Sequence, residues 1–410
     1  MLIKDNLILF LSIGFANLIN YIFHFFVGRK LGPSDYGVFG VLLSVLYIII
    51  IPLMALQTTI SKFVAELEVK NEKGKLSYLF LKSFKRTGLV GLLIGIVFIL
   101  LSPLMSGFLK IGSVVPLIII GILMVFIFLI PVLRGFLQGL QRFKMLGFTF
   151  IIESITKIVV GIPLILLGFG INGAVAGFVL SFFFPLVFVF YSIKKFFKET
   201  GEKFSTSEIY KYSFPVLIML LGLTGLYTID VILVKRFFDP IDAGYYAALS
   251  LFGKIVFFAS MSISMVMFPK VSELNSKKAD ARPLLLKSLI IVLFIGGVAS
   301  SLYILFPGPI LGLLFGKEYL AVKNLLWLFG IFMTVYSLSH VISHYNIALH
   351  RTRFLYLLIF FNLLEIFLII LFHKTLMVVA LIMVVIMTLL FLSMLIYTIK
   401  NESINNNSSI

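Results

Sequence analysis

The sequence predicts an all-α integral membrane protein of about twelve transmembrane helices, arranged as two parallel six-helix repeats. The 410-residue chain is 61% hydrophobic and only 12% charged, whereas roughly a quarter of the residues of a soluble domain are charged. Apolar runs of about 20 residues, the length that spans a bilayer, recur along the whole chain. The second half also repeats features of the first half at a fixed spacing.

Twelve apolar runs have the length of a spanning helix. They are too long for membrane strands and lack the period-two alternation of such strands. The first run is also longer than the apolar core of a cleavable signal peptide, so it is interpreted as a retained helix. The predicted helices cover residues 7–27, 38–60, 88–108, 114–133, 146–167, 171–193, 214–234, 247–268, 288–306, 325–349, 355–372 and 376–397.

The distribution of lysine and arginine indicates how the chain is oriented. With the N-terminus inside, the inner segments carry about three times as many basic residues as the outer ones, and such an excess is typical of cytoplasmic loops. Both termini are therefore predicted to be cytoplasmic, in a multi-pass protein of the cell membrane. The net charge of +17 arises from short clusters between apolar runs, so it does not indicate nucleic-acid binding. The chain has no cysteine, which excludes disulfides and cysteine metal sites.

A motif in the first predicted outer loop recurs 207 residues later. The repeat contains six helices, an even number, so both halves enter the membrane in the same direction, as in transporters whose substrate path lies at the repeat interface. We predict one lobe at 1–195, a cytoplasmic linker at 196–213, a second lobe at 214–398 and a disordered cytoplasmic tail at 399–410. The matched pairs are Arg29 with Arg236, Pro33 with Pro240, Asp35 with Asp242 and Gly37 with Gly244.

Three loop motifs carry a family resemblance. Residues 28–40, GRKLGPSDYGVFG, resemble the first outer loop of polysaccharide-biosynthesis flippases, which belong to the multidrug/oligosaccharidyl-lipid/polysaccharide exporter superfamily. Residues 135–144, GFLQGLQRFK, and residues 314–319, LFGKEY, resemble two later loops of the same family. The match covers essentially the whole chain, and the order and spacing of the motifs make it specific.

The resemblance implies two six-helix lobes around a central cavity that opens alternately to either side. It also implies a substrate with a phosphate or pyrophosphate head, attached sugars and a polyisoprenoid tail. The murein-precursor branch carries arginines inside the first two helices, and this chain has none there, which favours the broader oligosaccharide group. The expected partners are membrane lipid, a lipid-linked oligosaccharide and a coupling ion, either proton or sodium. No nucleic acid and no cofactor are expected, and the protein is expected to be a monomer.

Three basic residues in or beside spanning helices are candidates for binding the substrate head, because fixed positive charge offsets the hydration that a phosphate loses. Lys254 lies about two turns into helix eight, and its alternative is a structural pairing with Asp230. Lys157 is four residues after Glu153 on one helix face, so the two could form a neutral pair. Arg134, at the end of helix four, could instead be an anchor at the membrane interface.

Arg29 is a fourth substrate-binding candidate because it lies at the predicted outer mouth. Its alternative is structural, since arginine and aspartate can fix the tight turns between helices one and two and between helices seven and eight. The residues of the repeated loop motif to which this structural role is assigned are Gly32, Pro33, Asp35, Gly37, Pro240, Asp242 and Gly244.

Acidic residues inside the membrane are the candidates for coupling. Glu365 stands alone in helix eleven, where it could carry a proton, bind a cation, or be protonated and hydrogen-bonded to Asn362. His340 and His344 have the four-residue spacing of metal ligands, but no nearby carboxylate completes a site, so no metal is predicted. The candidate coupling or charge-partner residues are Asp230, Glu153 and Glu365.

The function that these observations favour is translocation of a lipid-linked oligosaccharide by a flippase, which is a transporter and not an enzyme. A multidrug or toxin exporter of the same fold is the alternative, and it would favour an apolar cavity with few basic residues. A membrane glycosyltransferase or polymerase would need a sizeable polar loop with catalytic carboxylates or histidines. The longest predicted outer loop, about 307–324, is largely apolar, which disfavours an enzyme.

Overall fold

The computed structural model describes residues 2–193, 207–277 and 279–407, and every regular element in these ranges is helical. Nine helices in these ranges are long and apolar enough to cross a membrane, and Leu355–Leu371 is a shorter apolar helix. The predicted all-α membrane fold is therefore confirmed, and the protein is a multi-pass membrane protein. The number of twelve spans stays a prediction.

The chain divides into two compact units, Met1–Leu217 and Ile218–Ile410. Most of the predicted linker at 196–213 lies outside the described residues, as does the end of the predicted tail at 399–410. The last helix, Leu376–Asn407, continues into that tail. The predicted lobe boundaries, linker and tail therefore stay predictions.

The helices of the first unit follow one another with short connections. Two π-helical runs, Lys157–Gly161 and Ile165–Phe169, lie in the second half of its fifth predicted span, and the second run extends two residues beyond it. The α-helices are α1 (Leu2–Val69), α2 (Lys73–Leu100), α3 (Ser102–Phe108), α4 (Val115–Gly139), α5 (Phe143–Thr156), α6 (Ile162–Leu164), α7 (Gly170–Leu180) and α8 (Phe183–Ile193).

The second unit begins within α9 (Ser207–Gly225). Its one 3₁₀ run within the described residues is Lys317–Leu325, which precedes a long buried helix. The remaining helices are α10 (Ile229–Phe237), α11 (Pro240–Ser276), α12 (Arg282–Leu305), α13 (Pro307–Leu314), α14 (Leu326–Ala348), α15 (Leu355–Leu371) and α16 (Leu376–Asn407).

A single glycine separates the first two predicted spans. Gly32 interrupts α1 with φ of 77°, a left-handed conformation that glycine adopts without the steric cost of a Cβ. Pro33 follows it, and proline at this point removes a backbone donor that a continuous helix would need. The predicted first outer loop is therefore a break within one long helical element rather than an extended connection.

The fifth predicted span departs from a regular α-helix. Lys157 begins the first π-helical run, and Pro163 lies between the two runs. Because proline lacks an N–H group, the regular hydrogen-bond pattern cannot continue through it, and wider turns accommodate the loss. Close packing accompanies this irregularity, since a Cβ on Gly177 would lie 2.3 Å from the Cα of Gly161. Small residues at this contact let α7 approach the π-helical segment.

Candidate functional site

A buried ionic network in the first unit joins three of the candidate residues. The Glu153 carboxylate accepts from Arg134 Nη2 at 2.8 Å through Oε2 and from Lys157 Nζ at 2.9 Å through Oε1. Arg134 comes from α4, Glu153 from α5 and Lys157 from the start of the π-helical run. The Glu153–Lys157 contact has the four-residue spacing of the sequence interpretation, and Arg134 adds a second cation to it.

Neutral groups hold both cations of the network in place. Arg134 Nε donates to Thr149 Oγ1 at 3.0 Å, and its guanidinium carbon lies 4.0 Å from the centre of the Phe150 ring. Lys157 Nζ donates to Asn20 Oδ1 at 3.0 Å and lies 4.5 Å from the centre of a phenyl ring on α7. The two cations are therefore held by a carboxylate, by neutral oxygen atoms and by the faces of aromatic rings, through hydrogen bonds and cation–π attraction.

The network carries one net positive charge, since two cations share a single carboxylate. The side chains of Arg134 and Lys157 are only 8% and 5% exposed, so water screens this charge weakly. Arg134 is thus buried against its neighbours. A buried site with surplus positive charge attracts an anion, and arginine and lysine are the side chains that bind phosphate.

An acidic cluster occupies the interior of the second unit. Asp230 at the start of α10 is fully buried, and its Oδ2 accepts from Tyr246 Oη at 2.9 Å. Glu365 on α15 is also fully buried and interacts electrostatically with Asp230. Lys254 on α11 is buried, is an electrostatic neighbour of Asp230 and lies 5.5 Å from the centre of the Tyr227 ring. The structure therefore brings the two acidic candidates of this unit together with its basic one.

Glu365 lacks the hydrogen bond that the sequence suggested as one alternative. Asn362 Nδ2 donates to the carbonyls of Gly222 at 2.8 Å and Leu358 at 2.7 Å. Both carboxyl oxygens of Glu365 are buried without a well-formed hydrogen bond within the described residues, and the backbone of Asp230 is the polar group that interacts with them. Asn362 Nδ2 thus bonds to backbone carbonyls, and the structure shows no hydrogen bond between Asn362 and Glu365. A buried carboxyl group in this state can accept a proton or a cation.

The candidate residues of the predicted outer loops lie around the break in α1 and at the start of α11. Arg29 is exposed on α1, three residues before the break at Gly32. In the second unit the N-cap of α11 is Asp239, whose Oδ1 accepts from the backbone N–H groups of Ile241 and Asp242 at 3.0 and 2.9 Å. In their units Pro33, Asp35 and Asp242 are partly buried, Gly37 and Gly244 are buried, and Pro240 is exposed.

Several residues of the two clusters were not identified from the sequence. Hydrogen bonds at 2.9 or 3.0 Å join these clusters to Thr149, Asn20 and Tyr246. None of these three side chains is ionisable near neutral pH. A search for charges within apolar runs therefore passes over them. Asn20 lies inside the first apolar run. A polar side chain at such a position is the one signal in the sequence that could have made Asn20 a candidate. Within the described ranges, no group of three or more metal-ligating side chains of His, Cys, Asp or Glu occurs.

Comparison with known proteins gives both a family match and structural neighbours. A family model described as "Polysaccharide biosynthesis protein" matches residues 2–275. No curated protein sequence matches the chain. Among solved structures, an inward-facing multidrug resistance transporter of the MATE family and MOP superfamily is 16% identical, with a TM-score of 0.83 and 96% of each chain covered.

Two further solved structures have the same fold. The lipid II flippase MurJ in an inward closed conformation is 18% identical, with a TM-score of 0.73, covering 95% of this chain and 87% of that one. The MATE multidrug transporter DinF-BH is 13% identical, with a TM-score of 0.70, covering 97% of this chain and 94% of that one. At these identities the likeness establishes the fold of MOP-superfamily transporters and does not by itself identify the substrate.

Proposed function

The chain belongs to the polysaccharide biosynthesis protein family, and we propose that it is a flippase for lipid-linked oligosaccharide. The cargo is a polyisoprenoid phosphate or pyrophosphate that carries sugars. The protein moves it across the cell membrane by alternating access, for assembly of cell-surface polysaccharide or glycan. The matched region contains two of the three loop motifs, those at 28–40 and 135–144, and the fold agrees with that of solved transporters.

The observation that carries this proposal is the surplus positive charge of the buried network around Glu153. A phosphate head that crosses about 30 Å of hydrocarbon must lose much of its water. Fixed cations that are already desolvated offset this loss through charge-assisted hydrogen bonds. A site for cationic or neutral drugs would gain nothing from an extra buried cation. The network therefore supports an anionic head group, with Arg134 and Lys157 as its ligands.

The acidic cluster of the second unit is proposed as the coupling element. Glu365 has no well-formed hydrogen bond among the described residues, and Asp230 lies beside it. Protonation or cation binding would relieve the repulsion between two buried carboxylates. Because Lys254 interacts with Asp230, a change in the charge of this pair also changes the electrostatic interaction of Lys254.

A multidrug exporter is the second candidate, and two observations favour it. Solved multidrug transporters share the fold over nearly the whole chain. The acidic cluster also supplies the negative charge that a cationic drug would need. An enzyme is a weaker candidate, because within the described residues the buried ionisable groups of the two clusters lie on largely apolar helical segments rather than on a polar loop.

Transport by purified protein in proteoliposomes separates the two candidates. We expect a labelled lipid-linked oligosaccharide with a phosphate linkage to cross, and the cationic dye rhodamine 6G not to cross. Arg134→Gln and Lys157→Gln should each slow translocation at least about tenfold, the loss expected for one charge-assisted contact.

Lys277→Gln is the matched control for Lys157→Gln. Lys277 also pairs with a glutamate four residues earlier, Glu273, but its side chain is 65% exposed. This variant should translocate the oligosaccharide at the normal rate. Translocation of rhodamine 6G without translocation of the oligosaccharide would establish the multidrug alternative instead.

A further inference from the structure

A cavity of about 440 Å³ lies in the second unit, and none of the residues that line it belongs to an ionic cluster described above. The end of α12, the start of α13, the end of the 3₁₀ run and the start of α14 form its walls. Its volume is near the lower end of the range for small-molecule sites, about 300–1,000 Å³, which suits a compact ligand. The lining residues are Tyr303, Ile304, Pro307, Lys323, Asn324 and Trp327.

Three hydrogen-bond donors of this lining share one helical face. Lys323 and Trp327 are four residues apart, and Asn324 is three residues before Trp327, so their side chains lie on the same side of the segment that leads into α14. Within the described ranges, the Lys323 ammonium group, the Asn324 amide and the Trp327 indole N–H have no hydrogen-bond or ion-pair partner. A positive charge with two neutral donors suits an anion that has several oxygen atoms, such as a phosphate group.

The rest of the lining is apolar. Tyr303 Oη donates to the backbone carbonyl of Phe252 at 2.9 Å, so this hydroxyl is already bonded within the protein. Ile304 lies at the end of α12, where Leu305 and Phe306 follow it, and all three side chains are exposed. Exposed apolar surface of this kind on a membrane protein is suited to contact with acyl chains. The cavity therefore combines a phosphate-binding face with an apolar edge.

The cavity lies at the depth of lipid head groups in the predicted topology. The 24 residues of α12 give a helix about 36 Å long, slightly longer than the roughly 30 Å hydrocarbon core of a bilayer. Arg282 and Lys287 lie near its predicted cytoplasmic end, and the cavity lies at the other end, beside the predicted outer loop at 307–324. Tryptophan and lysine are typical of this interface, where apolar chains meet charged head groups.

We propose that this cavity binds the phosphate-bearing head group of a membrane phospholipid from the predicted outer leaflet. The Lys323 ammonium group pairs with the phosphate, and the Asn324 amide and Trp327 indole donate to its oxygen atoms or to those of the glycerol. The acyl chains follow the exposed side chain of Ile304. A soluble phosphate would leave this apolar surface uncovered, and an oligosaccharide is larger than the compact ligand that the volume suits. The bound lipid thereby joins the end of α12 to the start of α14.

The fluorescence of Trp327 tests this proposal, because Trp327 is the single tryptophan of the chain. Short-chain phosphatidylglycerol is added to the purified protein in a nonionic detergent, and the indole emission is followed. We expect saturable binding with a shift of the emission. Diacylglycerol of the same chain length, which lacks the phosphate, should bind at least about tenfold more weakly, and so should glycerol phosphate, which lacks the chains.

Lys323→Gln should weaken the binding of phosphatidylglycerol at least about tenfold, the loss expected for one charge-assisted contact. Lys317→Gln is the matched control, because Lys317 is an exposed lysine of the same 3₁₀ run that does not line the cavity. This control should bind phosphatidylglycerol with normal affinity. Each variant changes one exposed side chain and keeps Trp327, so both proteins should fold and give the same fluorescence signal.

Equal affinity of the wild-type protein for phosphatidylglycerol and diacylglycerol, or unchanged affinity in Lys323→Gln, would overturn the inference. A last arm adds the proposed cargo, a polyisoprenoid phosphate that carries sugars, as a competitor. If this cargo displaces phosphatidylglycerol at a lower concentration than phosphatidylglycerol itself requires for binding, the cavity belongs to the cargo and the phospholipid proposal fails. Translocation of oligosaccharide is not measured in any arm, so failure of this inference is distinct from failure of the proposed function.

Discussion

Replacing Glu153 by alanine is expected to destabilise the protein by about 3–5 kcal/mol, the cost of leaving a buried charge without its partner. Glu153 binds Arg134 and Lys157 at 2.8 and 2.9 Å. Without this carboxylate, the two buried cations repel each other. The free energy of unfolding in detergent micelles, measured by denaturant titration, checks this result. Glu153→Gln should lower the free energy of unfolding by less, since its amide oxygen still accepts a hydrogen bond.

Glu273→Ala provides the control for that measurement. Glu273 pairs with Lys277 at the same four-residue spacing, but both side chains are more than half exposed. Exposed pairs contribute little to stability, so the unfolding midpoint should not move. Equal midpoints for Glu153→Ala and wild type would show that the network around Glu153 is not held as the structure describes.

Replacing Lys254 by alanine is expected to abolish or strongly reduce transport while leaving the protein folded. Lys254 is buried beside Asp230. A charge-assisted contact between its ammonium group and the substrate head would contribute about 1.5–3 kcal/mol, equivalent to about tenfold or more in affinity for the substrate. Lys254→Arg should retain partial transport, because it keeps the charge and changes the shape. Translocation in proteoliposomes measures the effect, with Lys270→Ala, an exposed lysine of the same helix, as control.

The double change Lys254→Ala with Asp230→Ala distinguishes a transport role from simple charge balance. If Lys254 acts in transport, removal of Asp230 cannot restore the lost cation, and the double variant stays inactive. Recovery of transport in the double variant would assign Lys254 to the scaffold as the partner of Asp230.

Local spacing explains which parts of the site were predictable. Glu153 and Lys157 lie one helical turn apart, so their contact follows from the sequence alone. Arg134 reaches the same carboxylate from another helix, 19 residues away. Asn20 reaches Lys157 across 137 residues. These two contacts depend on how α1, α4 and α5 pack, and no local pattern encodes that packing.

Hydropathy was a good guide to the fold because each spanning segment must satisfy its own backbone in lipid. It could not reveal the π-helical runs around Pro163, since these keep the same apolar composition as an α-helix. It also could not distinguish Asp239 from Asp242 as the cap of α11. The internal repeat drew attention to Asp242, whereas the geometry of the helix start uses the residue before Pro240.

Binding of two matched lipids to the purified protein tests the central claim most directly. One is a short-chain polyisoprenoid phosphate that carries an oligosaccharide, and the other is the same lipid with an uncharged linkage to the sugar. Because the network around Glu153 has one cation in excess, the phosphate lipid should bind at least about tenfold more tightly. Lys157→Gln should remove most of this difference. Equal affinity of the wild-type protein for the two lipids would contradict the account.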